Sequence, residues 1–299
     1  MICGIVDVGS NTIHLSIYRC DEEGSQLMMH QKVMAGLASY VEGGKLTEEG
    51  IRVVCHVLSD YRALLDNLKI SSVYVFATAS MRNISNADDV RVAIRTESGL
   101  DVDRISGEDE AALSFYGALM DIPHDDGVLV DLGGGSTELV QYEDRTIRSA
   151  CSLSVGALNL FNRYVAGLHP TKEECRLIRN EVQEQLAREQ KELRLAEHIC
   201  GVGGTARAAC RVANRFFGRA EDCRVLTARE IRQLLKRFRG MDRETMRVIL
   251  KLAPERIHTL VPGLVVLDTI CQLCGAQDIT VSTRGIREGY LHRRVLKEE

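Results

Sequence analysis

Two glycine-rich turns each follow an Asp in this sequence, a pairing that phosphate chemistry needs, and a third glycine cluster opens a helix. The first is Val6-Asp7-Val8-Gly9-Ser10-Asn11-Thr12 and the second is Val130-Asp131-Leu132-Gly133-Gly134-Gly135-Ser136-Thr137. Glycine lets a backbone approach a ligand closely. Successive N–H groups in such a turn form a nest for phosphate oxygens, and Ser and Thr hydroxyls add donors. An Asp at the end of each preceding strand is a hard oxygen ligand suited to Mg2+. A single turn of this kind reads as an ordinary hairpin. Two of them, with Asp7 and Asp131 spaced 124 residues apart, read as a duplicated domain presenting paired phosphate-binding turns. The third cluster, Cys200-Gly201-Val202-Gly203-Gly204-Thr205, follows an apolar stretch and opens a helix, as at an anion-binding helix N-terminus. No Gly-Lys-Ser/Thr follows it, so it is not a P-loop.

Around these turns the chain alternates strands and helices. Apolar runs predict strands at Ile2–Val8, Ile13–Tyr18, Val73–Ala77, Asp101–Ile105, Val128–Leu132, Thr137–Tyr142 and Ile279–Ser282. Helical spacing predicts helices at Thr47–Leu68, Asp88–Ser98, Glu108–Leu119, Lys172–Leu195, Thr205–Phe217, Thr227–Arg239, Arg243–Leu252 and from Arg284 onward. The polar stretch Asp121–Gly127 predicts a boundary, with domains over 1–124 and 125–299.

Two further features concern charge. Ser106-Gly107-Glu108-Asp109-Glu110 predicts a capped helix start with acids in its first turn. Arg207, Arg211 and Arg215 recur every four residues, which places them in one stripe on a helix. That stripe reads either as a solvated face or as a track for an anionic chain.

Composition narrows the classes. The chain has 299 residues, long for one core, and a net charge of −4 with 5% aromatics and no Trp. That argues against a nucleic-acid footprint or stacking platform. No apolar run is long enough to suggest a membrane span, and Asp7 interrupts the first apolar run. Ten cysteines without an export signal read as reduced thiols, so the expectation is a cytoplasmic protein. Cys271-Gln272-Leu273-Cys274 lacks the two further ligands of a zinc site and reads as core packing. No Gly-x-Ser-x-Gly supports acyl transfer.

The three turns, in this order, resemble the exopolyphosphatase / guanosine-pentaphosphatase family. The likeness extends to Val75-Phe76-Ala77-Thr78-Ala79-Ser80-Met81-Arg82, to Ile105–Ala111 and to Val281-Ser282-Thr283-Arg284-Gly285-Ile286-Arg287-Glu288-Gly289. It spans nearly the whole chain and matches short members without the extra helical HD-type domain. One departure is the stretch Lys32–Leu46, which lacks the family's Arg-x-Leu-Gly pattern. The resemblance implies an α/β fold of two ribonuclease-H-like domains, of the actin and sugar-kinase superfamily, with an interdomain active-site cleft. It implies Mg2+, with Mn2+ as a substitute, held by Asp7, Asp131 and Glu138. Ser10, Asn11, Arg82, Gly133, Gly134, Gly135, Ser136, Thr137, Gly203, Gly204 and Thr205 would cradle phosphate, and Glu110 would activate the attacking water. The expected ligand is inorganic polyphosphate or guanosine pentaphosphate, with no nucleic acid or membrane partner, and a homodimer is expected. Rival readings are a kinase or ATPase on the same scaffold, or a non-catalytic polyphosphate or alarmone sensor.

Overall fold

The computed structural model describes residues 1–22, 24–189 and 193–298. The chain forms two compact units, Met1–Asp109 with Leu291–Glu299, and Glu110–Tyr290.

The first unit runs β1 (Ile2–Val8), β2 (Ile13–Asp21), β3 (Gly24–Val33), a 3-10 turn Leu37–Tyr40, β4 (Val41–Glu42), β5 (Lys45–Leu46), α1 (Glu48–Asn67), β6 (Val73–Ala77), α2 (Ala79–Arg82), α3 (Ala87–Ser98) and β7 (Val102–Arg104). Its sheet has the order β3-β2-β1-β6-β7, with the first three strands an antiparallel meander and β6 and β7 parallel to β1. Thr47 starts α1 by accepting from the Gly50 N–H at 3.2 Å. Val54, Leu58, Tyr61 and Leu65 then bury one stripe of that helix. Gly99 ends α3 in the left-handed region at φ 69°, where a Cβ would be disfavoured.

The chain then forms α4 (Gly107–Ala118), most of which belongs to the second unit. The second unit continues with β8 (Gly127–Leu132), β9 (Thr137–Glu143), β10 (Thr146–Leu153), α5 (Ala157–Tyr164), α6 (Lys172–Arg188), β11 (His198–Val202), α7 (Gly203–Phe217), β12 (Val225–Thr227), α8 (Ala228–Phe238), α9 (Arg243–Leu252), α10 (Leu260–Cys274), β13 (Asp278–Val281), α11 (Ile286–Tyr290) and a π-helical turn Leu291–Val295. Its sheet order is β10-β9-β8-β11-β13-β12. The same meander-plus-parallel plan therefore recurs, as expected for two ribonuclease-H-like units. Capping boxes at Thr171/Glu174 and Thr227/Glu230 start α6 and α8.

Several findings differ from the sequence reading. The division falls at Asp109–Glu110, ahead of the polar stretch at 121–127. Ala111 and Phe115 of α4 pack with Leu129, Val140, Tyr142 and Val202, which draws the helix into the second unit. α6 ends at Arg188, short of Leu195; residues 190–192 of that expected helix lie outside the described residues. α10 was not expected, because it is apolar on all sides and so lacks a helical period; it is buried nearly throughout. Cys271 and Cys274 lie on it, buried and unpaired. All ten cysteines are free thiols, and no helix among the described residues is long and apolar enough to cross a membrane.

Candidate active site

The second unit's turn is shaped by its own backbone. Asp131 faces Glu138 across the β8–β9 ladder, and Leu132 faces Thr137. The Gly133 N–H donates to the Ser136 carbonyl at 3.0 Å and closes the turn. The carbonyls of Gly133 and Gly134 accept from Ala157 and Leu158 at the start of α5, both at 3.0 Å. This close approach explains Gly156, where a Cβ would stand 2.3 Å from the Gly134 carbonyl. With the carbonyls held down, the N–H groups of Gly134, Gly135 and Ser136 donate to no backbone partner among the described residues. That is the donor arrangement of an anion nest.

Carboxylates surround it. Asp131 is half-buried and accepts a short hydrogen bond from the Ser114 hydroxyl. Burial pushes its carboxyl up, against the hydrogen bond from Ser114 and the charges of Arg207 and Arg287. Glu138 is buried and accepts from Ser152 Oγ at 2.7 Å. Burial pushes Glu138 well above the usual carboxylate range, and the negative charges of Glu110 and Asp131 push the same way, against hydrogen bonds from Ser136 and Ser152. Three acids thus share one low-dielectric neighbourhood, the environment in which a cation or a proton is most wanted.

α4 sorts the acids of its first turn. Ser106 Oγ accepts from the Asp109 N–H at 3.0 Å, so the cap forms. Asp109 pairs with Arg294 at 3.3 Å, Glu108 is exposed, and Glu110 alone is buried. Two glycines of the C-terminal signature fix this helix. A Cβ on Gly289 would meet the Leu113 carbonyl at 1.8 Å, and one on Gly117 would meet the Gly285 carbonyl at 1.8 Å. Asp121, just after α4, binds the same signature: it accepts from Thr283 N at 2.9 Å, Thr283 Oγ1 at 2.8 Å and Ser282 Oγ at 3.0 Å.

β11 lies parallel to β8 with Val202 beside Asp131, which delivers α7 to the site. Gly203 has φ 95°, and a Cβ there would stand 2.9 Å from Asp131 Oδ1. The first N–H groups of α7 are free of helical partners, as at every helix start. Arg256, which the sequence reading did not single out, covers this end: its guanidinium donates to Thr205 Oγ1 at 3.3 Å. A Cβ on Gly204 would stand 2.2 Å from Arg256 Nη2. Arg207 is half-buried, and burial holds it down at about 10, helped by Arg287 and opposed by Asp131. Only contact in the fold relates Arg256 to Gly204, 52 residues earlier. Proline at 254 before an apolar stretch was its one local signal.

The first unit carries the matching turn. The Gly9 N–H donates to the Thr12 carbonyl at 3.2 Å, and the carbonyls of Ser10 and Asn11 accept from Ala38 and Gly36, both at 2.9 Å. Asn11 Nδ2 is buried without a hydrogen-bond partner among the described residues. Asp7 is half-buried, opposite His14 on β2. Arg82, at the end of α2, donates to the Ile105 carbonyl at 3.4 Å.

Among the described residues no three His, Cys, Asp or Glu side chains are arranged to hold a metal ion. The donor set still suits Mg2+, which is usually held by one or two carboxylates together with substrate phosphates and water.

Comparison with known proteins follows the same outline. The model of the Ppx/GppA phosphatase family matches residues 16–298. "Exopolyphosphatase 1" of Mycobacterium tuberculosis is 25% identical over 310 residues, covering all of this chain and 89% of that protein. Among solved structures, an exopolyphosphatase from Cytophaga hutchinsonii superposes with a TM-score of 0.87 at 23% identity, over 100% of this chain and 99% of that one. The Aquifex aeolicus member of the Ppx/GppA family gives 0.80 at 25% identity, over 99% and 98%.

Proposed function

We propose that this chain, which belongs to the Ppx/GppA phosphatase family, hydrolyses the terminal phosphoryl group of inorganic polyphosphate. Guanosine pentaphosphate is the second substrate of this reading. The observation that carries it is the trio of Glu110 and Glu138, both buried, with half-buried Asp131, next to a row of turn amides that have no backbone partner among the described residues and the start of α7.

Phosphoryl transfer asks for positioning and charge neutralisation more than covalent chemistry. The N–H groups of Gly134, Gly135 and Ser136 and those of Gly203 to Thr205 hold the oxygens of the end phosphate. Arg256 and Arg207 add positive charge where the transferred group carries most negative charge. Asp131 and Glu138 would hold Mg2+, which when bound supplies charge neutralisation of the phosphate oxygens. Glu110 accepts a hydrogen bond from the attacking water and takes its proton as the bond to phosphorus forms and the bridging P–O bond breaks, so that orthophosphate and the shortened polyphosphate anion leave. The helix that carries Glu110 is locked by Gly117, Gly285 and Gly289, so its aim is fixed before substrate arrives. Ten unpaired thiols suit the reducing conditions of a cytoplasm.

The test is phosphate release from long-chain polyphosphate and from guanosine pentaphosphate, with Mg2+ and with excess EDTA. Release from polyphosphate that stops in EDTA is expected. Full turnover in EDTA would remove the metal from the reading. ATP-dependent phosphorylation of a small acceptor, faster than phosphate release, would replace the hydrolase with a kinase.

A further inference from the structure

The arginine stripe of α7 does not end at the catalytic turn. Arg207 lies by Asp131, and its neighbour Arg256 lies in turn within the field of Arg211. Arg211, two turns from the helix start and exposed, donates to the Leu252 carbonyl at 3.2 Å. Leu252 and Arg215 both line a cavity of about 480 Å³ framed by α7, α8 and α9. From Arg207 to Arg215 the rise along the helix is about 12 Å.

That cavity is basic and open to ligand. Arg215, Arg247 and Lys251 line it, are exposed, and have no ion-pair or hydrogen-bond partner among the described residues. Its fourth cation, Arg237, sits 4.2 Å above the Phe216 ring and is paired with Glu244 at 2.7 Å. Glu221 is the other carboxylate on the wall. A helix C-terminus alone would favour Arg215 and Lys251, each in a last turn. It does not account for Arg247, or for three unpaired cations meeting in one concavity within a protein of net charge −4.

We propose that this cavity is a distal subsite for the far part of a long polyphosphate chain, joined to the catalytic turn by Arg207, Arg256 and Arg211. The inference rests on the functional reading above. Polyphosphate is a flexible chain with negative charge at every residue, so it gains from each cation spaced along its path and releases counterions at each. Short chains end before the cavity and gain nothing from it. The subsite therefore sets chain-length preference.

The test is the triple variant Arg215→Ala/Arg247→Ala/Lys251→Ala. KM for long-chain polyphosphate should rise about tenfold. The kcat should stay within about twofold, and tripolyphosphate kinetics and melting temperature should be unchanged. An unchanged long-chain KM, or an equal rise for tripolyphosphate, overturns the proposal. Equilibrium binding of long-chain polyphosphate to wild type and variant, across a salt series, provides a readout independent of turnover. The variant's log–log salt slope should be shallower by roughly two to three. Identical affinity and slope would also overturn the subsite. If wild type released no phosphate from any polyphosphate, the functional reading would fall, and the binding series alone would decide the subsite.

Discussion

The hairpin turns after Asp7 and Asp131 share a backbone plan and differ in what surrounds them. Each closes with an N–H from the glycine two residues after the Asp to the carbonyl five residues after it. In each, the turn carbonyls are tied down by a following segment, which leaves amides for an anion. The cross-strand partner differs: Asp7 faces His14, whereas Asp131 faces Glu138. The parallel strand that follows differs too. By register with the Asp, the position two after Phe76 is Thr78, and two after Val202 is Gly204. The backbone plan supplies two nests, and the side chains concentrate acids and half-buried arginines on the second. Backbone geometry at such a turn is reusable; the charge around it decides whether it is a place for chemistry.

The severest way to break the asymmetry is Glu110→Gln. The amide keeps size and polarity and removes the proposed base, and a positioned general base typically contributes about 10²–10⁴-fold. A loss of that order in kcat is expected, with substrate affinity and melting temperature nearly unchanged. Retention of most activity would return Glu110 to a capping-turn acid. Asp109 could not then inherit the role cheaply, because it is committed to Arg294.

Next in size is a matched pair, Asp131→Asn and Asp7→Asn. Asp131 has the second acid opposite it and Asp7 does not, so Asp131→Asn should raise the Mg2+ concentration for half-maximal activity by about 10–100-fold. Asp7→Asn should raise it less. A metal titration of activity for both variants checks this, and the reverse ranking would mean that the first turn, not the second, is the metal-binding one.

These residues were legible in the sequence to different degrees. The turns, their flanking strands and the capped start of α4 are local, and local patterns dictate them. The buried state of Glu110 against the exposure of Glu108 follows from how α4 packs, through Gly117, onto a signature more than 160 residues away. Arg256 was invisible for the same reason. Asp121 sat in a stretch that reads as a linker, although four polar contacts make it part of the second unit's frame. α10 lacked a period because all of it but Gln272 and Leu273 is buried. Spacing reports what a segment does alone, and these features are made by its neighbours.

Asp121 provides the third prediction, on stability. Burial raises its carboxyl, but hydrogen bonds from Thr283 and Ser282 and the charge of Arg224 outweigh that and hold it at about 2, below its ordinary 3.8. The folded value lies below the unfolded one, so its contribution is complete above about pH 4 and is lost as pH falls toward 2. The gap corresponds to about 2 kcal/mol. Asp121→Asn should lower the unfolding free energy at neutral pH and flatten the acid limb by about that amount, as read by denaturant titrations from pH 6 to about pH 2.5. An acid limb as steep as wild type would mean that other carboxylates govern it.

The smallest effect expected is also the most direct test of how the two units diverged. Gly204→Ala moves the second unit one step toward the first, which has Thr78 at that register. The new methyl would stand 2.2 Å from Arg256 Nη2 and 2.9 Å from its Cζ, with no backbone atom among its three nearest neighbours. A guanidinium at the end of a flexible side chain can swing away, so the fold should survive. Gly117→Ala offers the contrast, because its methyl would press on backbone at 1.8 Å. Moving Arg256 breaks its hydrogen bond to Thr205 and withdraws one positive charge from the start of α7. A charge-assisted hydrogen bond to phosphate accounts for about 1.5 kcal/mol, or about tenfold in kcat/KM. Gly204→Ala and Arg256→Ala should therefore lose similar activity, and the double variant should lose little more than either alone, since both act through one guanidinium. Additive losses would show that Gly204 serves the phosphate directly, as backbone, and that Arg256 acts apart from it.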